Sequence, residues 1–163
     1  MAGELVEERD LGWNRIRREL AELAKNPLVV DVGILGQEAT ESHGDDGLNN
    51  VKLGTFHEFG GSNNRPPERS FLRSTMENKA QGYMNLLQKK AKRFYESGMS
   101  VKDFLGLVGQ RVSADVKITI KKKIPPPLTD ATIERKGSSV PLVDTGQLIN
   151  SITYVVRKQS EGR

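Results

Sequence analysis

The chain has 163 residues, 28% of them charged and 36% hydrophobic, which suits one domain that buries a real core. It has no cysteine, so disulfides and thiolate metal sites are excluded. No apolar run approaches the roughly 20 residues of a membrane span, and the opening Met1-Ala2-Gly3-Glu4-Leu5-Val6-Glu7-Glu8 is acidic and unlike a signal peptide. A soluble protein made in a cytoplasm is therefore expected. The net charge of +4 is unevenly spread: residues 1–50 hold 11 Asp/Glu and 5 Lys/Arg, residues 51–163 hold 10 and 20. The basic part can meet nucleic acid, meet the acidic part of a neighbouring subunit in a ring, or simply be solvated surface.

Leu11, Ile16, Leu20 and Leu23 recur at near-helical spacing, with Trp13 and Ala24 beside them, and predict a first helix that Pro27 ends. Leu28 to Leu35 is short and β-branched, a strand. Gly36 to Asn50 is polar and glycine-bearing, an exposed loop that can form a long hairpin arm. Val51 to Phe59 alternates imperfectly and is expected to be the second strand, followed by a turn at Gly60-Gly61 to Pro67. Phe71, Leu72, Met76, Ala80, Tyr83, Met84, Leu87, Ala91 and Phe94 give the longest helical pattern, with Pro67 suited to its start and Gly98 to its end.

Ser100 can cap a third helix, with Asp103 as its capping-box partner. That helix runs to about Lys122, weakened by Gly106 and Gly109. Pro125-Pro126-Pro127 forces a stiff, extended connector. A short helix over 129–135, a loop over 141–146, one helical turn over 147–151 and a last strand over 152–156 complete the chain. The expected fold class is α+β: a small, mainly antiparallel sheet packed against two long helices, with a long inter-strand loop. Residues 1–158 form a single domain and residues 159–163 a loose polar tail.

Catalytic chemistry finds little support. His57-Glu58 begins like a zinc-protease motif, but no second histidine follows at helical spacing, and Phe59-Gly60-Gly61 would break the helix that such a motif needs. There is no Gly-x-Ser-x-Gly elbow, no cysteine nucleophile and no P-loop lysine. Asp45-Asp46 lies in the polar loop, where carboxylates are solvated. Neither an enzyme nor a cofactor or metal is expected. Two cationic clusters, Lys89-Lys90 with Lys92-Arg93 and Lys117 with Lys121-Lys122-Lys123, fall late on the two long helices, where the helix dipole favours cations. Only Phe94 and Tyr95 lie beside the first cluster and no aromatic beside the second, which argues against a single-strand stacking surface.

Two segments carry a family resemblance. The first is Phe56-His57-Glu58-Phe59-Gly60-Gly61 with Arg65-Pro66-Pro67-Glu68-Arg69-Ser70-Phe71-Leu72-Arg73. The second is Thr129 to Gly137 with Pro141-Leu142-Val143-Asp144-Thr145-Gly146-Gln147-Leu148-Ile149-Asn150-Ser151-Ile152. Together they resemble the neck and tail-completion family of tailed bacteriophages typified by gene product 10 of phage HK97, related to the virion-morphogenesis proteins of contractile-tailed phages. The first segment is longer than the family's compact arginine–proline–phenylalanine stretch. The resemblance implies a structural virion protein at the head–tail junction, made in the host cytoplasm and assembled as a homo-hexameric or, alternatively, dodecameric ring. Such a ring joins the head connector to the tail tube or tail terminator. His57, Glu58, Arg65, Arg69, Arg73, Asp144 and Thr145 are the implied interface candidates. Genomic DNA in a ring lumen would face Lys117, Lys121, Lys122 and Lys123. A nonspecific nucleic-acid-binding protein using its basic helices is the other reading, and neither involves a membrane.

Overall fold

The computed structural model describes residues 12–40, 42–43, 48–142 and 146–162. Helix α1 (Trp13–Lys25) starts after Gly12, whose φ of 93° turns the chain sharply at the helix entrance. It ends where the Asn26 N–H donates to the Glu22 carbonyl, just before Pro27. Its apolar residues lie along one face, yet none is fully buried. Strand β1 (Leu28–Ile34) pairs antiparallel with β4 (Ile152–Lys158), Leu28 opposite Lys158 and Ile34 opposite Ile152. Asp31 and Arg157 close this pair with a 2.6 Å ion pair on one face. Between β1 and the next helix, the two-residue strands β2 (Ser42–His43) and β3 (Leu48–Asn49) form a separate small hairpin.

Residues 51–59 are not the second strand. They lie in helix α2 (Asn50–Phe59), capped by the Asn49 side chain, which accepts from the Lys52 N–H at 2.9 Å. Its buried stripe is Asn50, Gly54 and Glu58, at helical spacing but without a hydrophobic residue among them. Val51, Phe56 and Phe59 are turned outward instead. A hydrophobic pattern could therefore not report the helix. At Gly54 the helix lies close to β1: a Cβ there would lie 2.2 Å from Ile34 Cδ1, so the Ile34 side chain would have to shift. The partner of β1 is thus the distant β4, and the segment over residues 36–50 joins β1 to a helix rather than to its paired strand.

Helices α3 (Leu72–Ser97) and α4 (Val101–Lys121) form a hairpin across Gly98, which has φ 73°. The pairs Thr75–Thr119, Lys79–Asp115 and Phe94–Phe104 show that they run antiparallel. Ser100 caps α4, accepting from the Asp103 N–H at 3.1 Å and donating to its carboxylate at 2.7 Å. Helix α4 lies across both β1 and β4, and α3 packs on α4. Gly109 permits that approach, since a Cβ there would stand 2.4 Å from the Tyr154 ring. Helix α3 begins at Leu72 rather than near Pro67.

The chain closes with α5 (Asp130–Lys136), the single turn α6 (Gln147–Asn150), β4, and a 3-10 turn over Gln159–Glu161 held by the Gln159 N–H on the Pro27 carbonyl at 2.7 Å. The core gathers Phe71, Val116, Ile120, Leu142, Leu148 and Ile152 from α4, α6, β4 and the loops beside them, with Ile34 and Ile124 packed against it. The fold is α+β, a small antiparallel sheet packed against helices.

Candidate docking groove and its supporting network

Residues 60–71 have few apolar anchors and are ordered by hydrogen bonds. The Gly61 N–H donates to the Pro66 carbonyl at 2.8 Å, and the Arg65 N–H to the Ser62 carbonyl. A Cβ at Gly61 would overlap the Arg65 carbonyl, so only glycine fits. The Arg69 N–H then donates to the His57 carbonyl at 2.7 Å, tying the loop's exit back to α2.

Glu58 organises the start of α3. Its buried carboxylate accepts from the Phe71 N–H (2.8 Å), the Leu72 N–H (2.9 Å), the Arg73 N–H (2.8 Å) and the Ser70 hydroxyl (2.6 Å). The first N–H groups of a helix have no intrahelical acceptor, and the dipole there favours a negative charge. A carboxylate from the preceding helix therefore supplies the cap that Phe71 cannot. Glu58 is thus spent inside the fold. Arg73 is half-exposed and ion-paired with Glu68, with Glu77 3.9 Å away.

Arg69 is buried, 4% exposed, although arginine is rarely so. Its Nε and Nη2 donate to the Pro126 carbonyl at 2.9 and 2.7 Å. The guanidinium thus staples the proline connector to the loop before α3, 57 residues away in sequence. Burial lowers its pKa from the ordinary value. The proline run is not the extended connector expected from its sequence: it bends at Pro125 and Pro126, whose peptide bond is cis, and the arginine fork satisfies the Pro126 carbonyl there.

Above this staple lies a groove of about 640 Å³. His57, Pro66 and Pro67 form one wall, and Pro127, Arg135 and Pro141 belong to the other. The two sequence segments that carry the family resemblance therefore meet in one place. Among the described residues the lining includes His57, Arg69 and Arg135 and no carboxylate. The Thr129 and Thr132 hydroxyls in it lie 2.9 Å apart and bond each other. Rigid proline walls with cationic groups suit an acidic or carbonyl-rich segment of a partner.

The other predicted residues are dispersed. Arg65 is exposed and outside the groove lining. Asp144 and Thr145 lie outside the described residues, between buried Leu142 and Gly146, whose φ is 83°. Lys121, Lys122 and Lys123 are exposed at the end of α4, and Lys117 is half-buried one turn earlier. Among the described residues no cluster of His, Asp and Glu is placed to hold a metal ion, and no helix is long and apolar enough to cross a membrane.

One polar cluster is not apparent from the sequence pattern. Asp115, 2% exposed, sits between the long helices and accepts from Lys79 Nζ (2.7 Å), Tyr83 Oη (3.1 Å) and Arg111 Nε (3.1 Å). Burial pushes its carboxyl up, but hydrogen bonds from Lys79, Arg111 and Tyr83 and the charge of Lys79 together outweigh it and hold it below the ordinary 3.8. Burial, followed by the Asp115 charge and hydrogen bond, pushes the Tyr83 phenol up to about 12. The i, i+4 pairs Lys79/Tyr83 and Arg111/Asp115 are the signal that could have found it. With both carboxylate oxygens engaged, the cluster acts as a clamp between α3 and α4.

No family model, curated protein or solved structure matches the chain.

Proposed function

We propose that this chain is a structural subunit of the head–tail junction of a tailed phage, without catalytic activity. It closes with its own copies into a neck or tail-completion ring, sixfold or alternatively twelvefold, that joins the head connector to the tail tube or terminator. The observation that carries the reading is the convergence of residues 56–73 and 129–141 on a single proline-walled, cationic groove. The excess acid of residues 1–50 gives a neighbouring copy the complementary charge. Outward-facing Phe59, 66% exposed, with Val51 and Phe56 on the same helix, adds apolar surface of the kind that subunit contacts cover. The glutamate cap and the arginine staple hold the groove walls rigid, so little order is lost on docking.

Light scattering coupled to size exclusion, run beside DNA binding over a salt series, tests the reading. A discrete ring mass with weak DNA affinity supports it. A protein that stays monomeric at every concentration and binds DNA with a steep salt slope refutes it and favours the nucleic-acid reading of Lys121, Lys122 and Lys123.

A further inference from the structure

Arg69 carries a charge that the fold does not neutralise. It is 4% exposed, and a buried charge is ordinarily matched by an opposite one. Its partners are carbonyls alone: Nε and Nη2 donate to Pro126, with the Pro127 carbonyl 3.5 Å from Nη2. A carbonyl accepts a hydrogen bond and leaves the positive charge in place. Among the described residues no carboxylate forms an ion pair with Arg69. Its sequence neighbour Glu68 is paired with Arg73, and Glu58 is spent on the start of α3. Nη1 makes no hydrogen bond to a described residue, and Arg69 belongs to the lining of the proline-walled groove. The N–H groups of Nη1 are therefore donors that the groove can offer.

A second cation lines the same groove. Arg135 is exposed on α5 and forms no ion pair among the described residues. The Thr129 and Thr132 hydroxyls bond each other at 2.9 Å, so one of them keeps its hydrogen for a further acceptor. The groove thus collects donors and positive charge and lacks the anion that would complete them.

We propose that the groove seats a carboxylate of an acidic peptide segment on a partner protein, bound by Arg69 Nη1 and the Arg135 guanidinium. The ligand supplies the counter-charge that the fold withholds. The apolar rings of Pro66, Pro67, Pro127 and Pro141, with Leu128, pack on the peptide's backbone and side-chain stems. A nucleic-acid strand fits less well. A phosphate backbone needs a continuous cationic track, and here exposed Glu68 and Glu134 adjoin Arg69 and Arg135 in sequence, while Lys121, Lys122 and Lys123 are absent from the described lining. The inference rests on the reading of this groove as a docking site and names what docks there.

The test is fluorescence anisotropy on the full-length chain at physiological salt, with labelled hexaglutamate as the probe and labelled hexaglutamine as its uncharged match. Hexaglutamate should bind at least about tenfold more tightly. Arg135→Gln, at an exposed site, should weaken it about fivefold, and Lys122→Gln, outside the groove, by less than about twofold. Equal binding of the two peptides overturns the proposal, as does an equal loss in the two variants. A thymidylate hexamer that binds more tightly than hexaglutamate and depends on Arg135 also overturns it and assigns the groove to phosphate. The two histidines give an independent readout by nuclear magnetic resonance. Bound hexaglutamate should shift the His57 imidazole signals and raise that group's pKa, leaving His43 unchanged. Equal effects at both, including none at either, overturn the proposal. Light scattering on the same samples separates the two readings. A ring that ignores hexaglutamate overturns this inference alone, whereas a monomer that binds it supports this inference and counts against the ring.

Discussion

Replacing Glu58 by alanine removes one carboxylate and leaves four donors without their acceptor. The cost can be built from its parts. Loss of a helix N-cap costs about 1 kcal/mol. The Phe71 N–H is buried and left unsatisfied, which adds about 1–3 kcal/mol. The Leu72 and Arg73 N–H groups and the Ser70 hydroxyl are only partly buried, so water replaces much of what they lose. The sum is about 3 kcal/mol, or a fall in melting temperature of about 10 °C for a domain of this size. Glu58→Gln keeps one acceptor oxygen but turns an amide donor toward N–H groups, so about 2 kcal/mol is expected. Urea unfolding followed by circular dichroism gives both values, with unchanged m as the check on two-state behaviour. Glu68→Ala, which removes the exposed partner of Arg73, serves as control and should stay within about 0.5 kcal/mol. A Glu58→Ala loss no larger than the control would refute the assignment of Glu58 as the α3 cap.

Glycine substitutions should split by position. Gly109→Ala should destabilise by about 1–3 kcal/mol, because a Cβ meets the Tyr154 ring and Val30, whereas Gly82→Ala, with open space around it, should stabilise by about 0.5–1 kcal/mol; thermal melts decide both signs. The depressed pKa of Asp115 means that its contribution to stability is present above the unfolded-state value near 3.8 and is lost as pH falls through the lower folded-state value. Stability measured by denaturant unfolding below pH 4 should therefore fall less steeply for Asp115→Asn, from a lower starting point. The raised Tyr83 pKa has the opposite consequence: its contribution is intact below the ordinary value of 10.0 and is lost toward about 12, so Tyr83→Phe should remove a tyrosinate absorbance step that appears only near the upper end of that range. Arg69→Ala should free the proline connector and speed tryptic cleavage after Lys121, Lys122 and Lys123 several-fold; an unchanged cleavage rate would show that the staple does not hold the connector.

The long helices are legible in the sequence because their apolar residues repeat at three- and four-residue steps, and Ser100 and Gly98 mark their ends. Strand β1, the last strand and the α+β class are legible for similar reasons. Helix α2 is not, because its inward face is Asn50, Gly54 and Glu58, suited to close approach and capping rather than to apolar burial. A strand expected over residues 51–59 also places the partner of β1 nearby, whereas the true partner is β4, a pairing that only tertiary structure declares. The start of α3 is hidden because its cap comes from another helix. Among the candidate contact residues, spacing cannot separate Glu58, which serves the fold's interior, from His57, which lines the groove, nor show that buried Arg69 does both, and it does not single out Arg135, which also lines the groove. Gly109 looks like a helix weakness and is the contact point between α4 and the sheet.

The central claim is that this chain is a ring subunit at the head–tail junction. It is tested most directly by labelling the chain, purifying any phage particles that incorporate it, and imaging them by electron microscopy with quantitative mass spectrometry. The account predicts label confined to the junction between head and tail, with copies per particle in the ratio of one sixfold or one twelvefold ring to the capsid protein. Particles that are complete and infectious without the chain, or label absent from the junction, would contradict it.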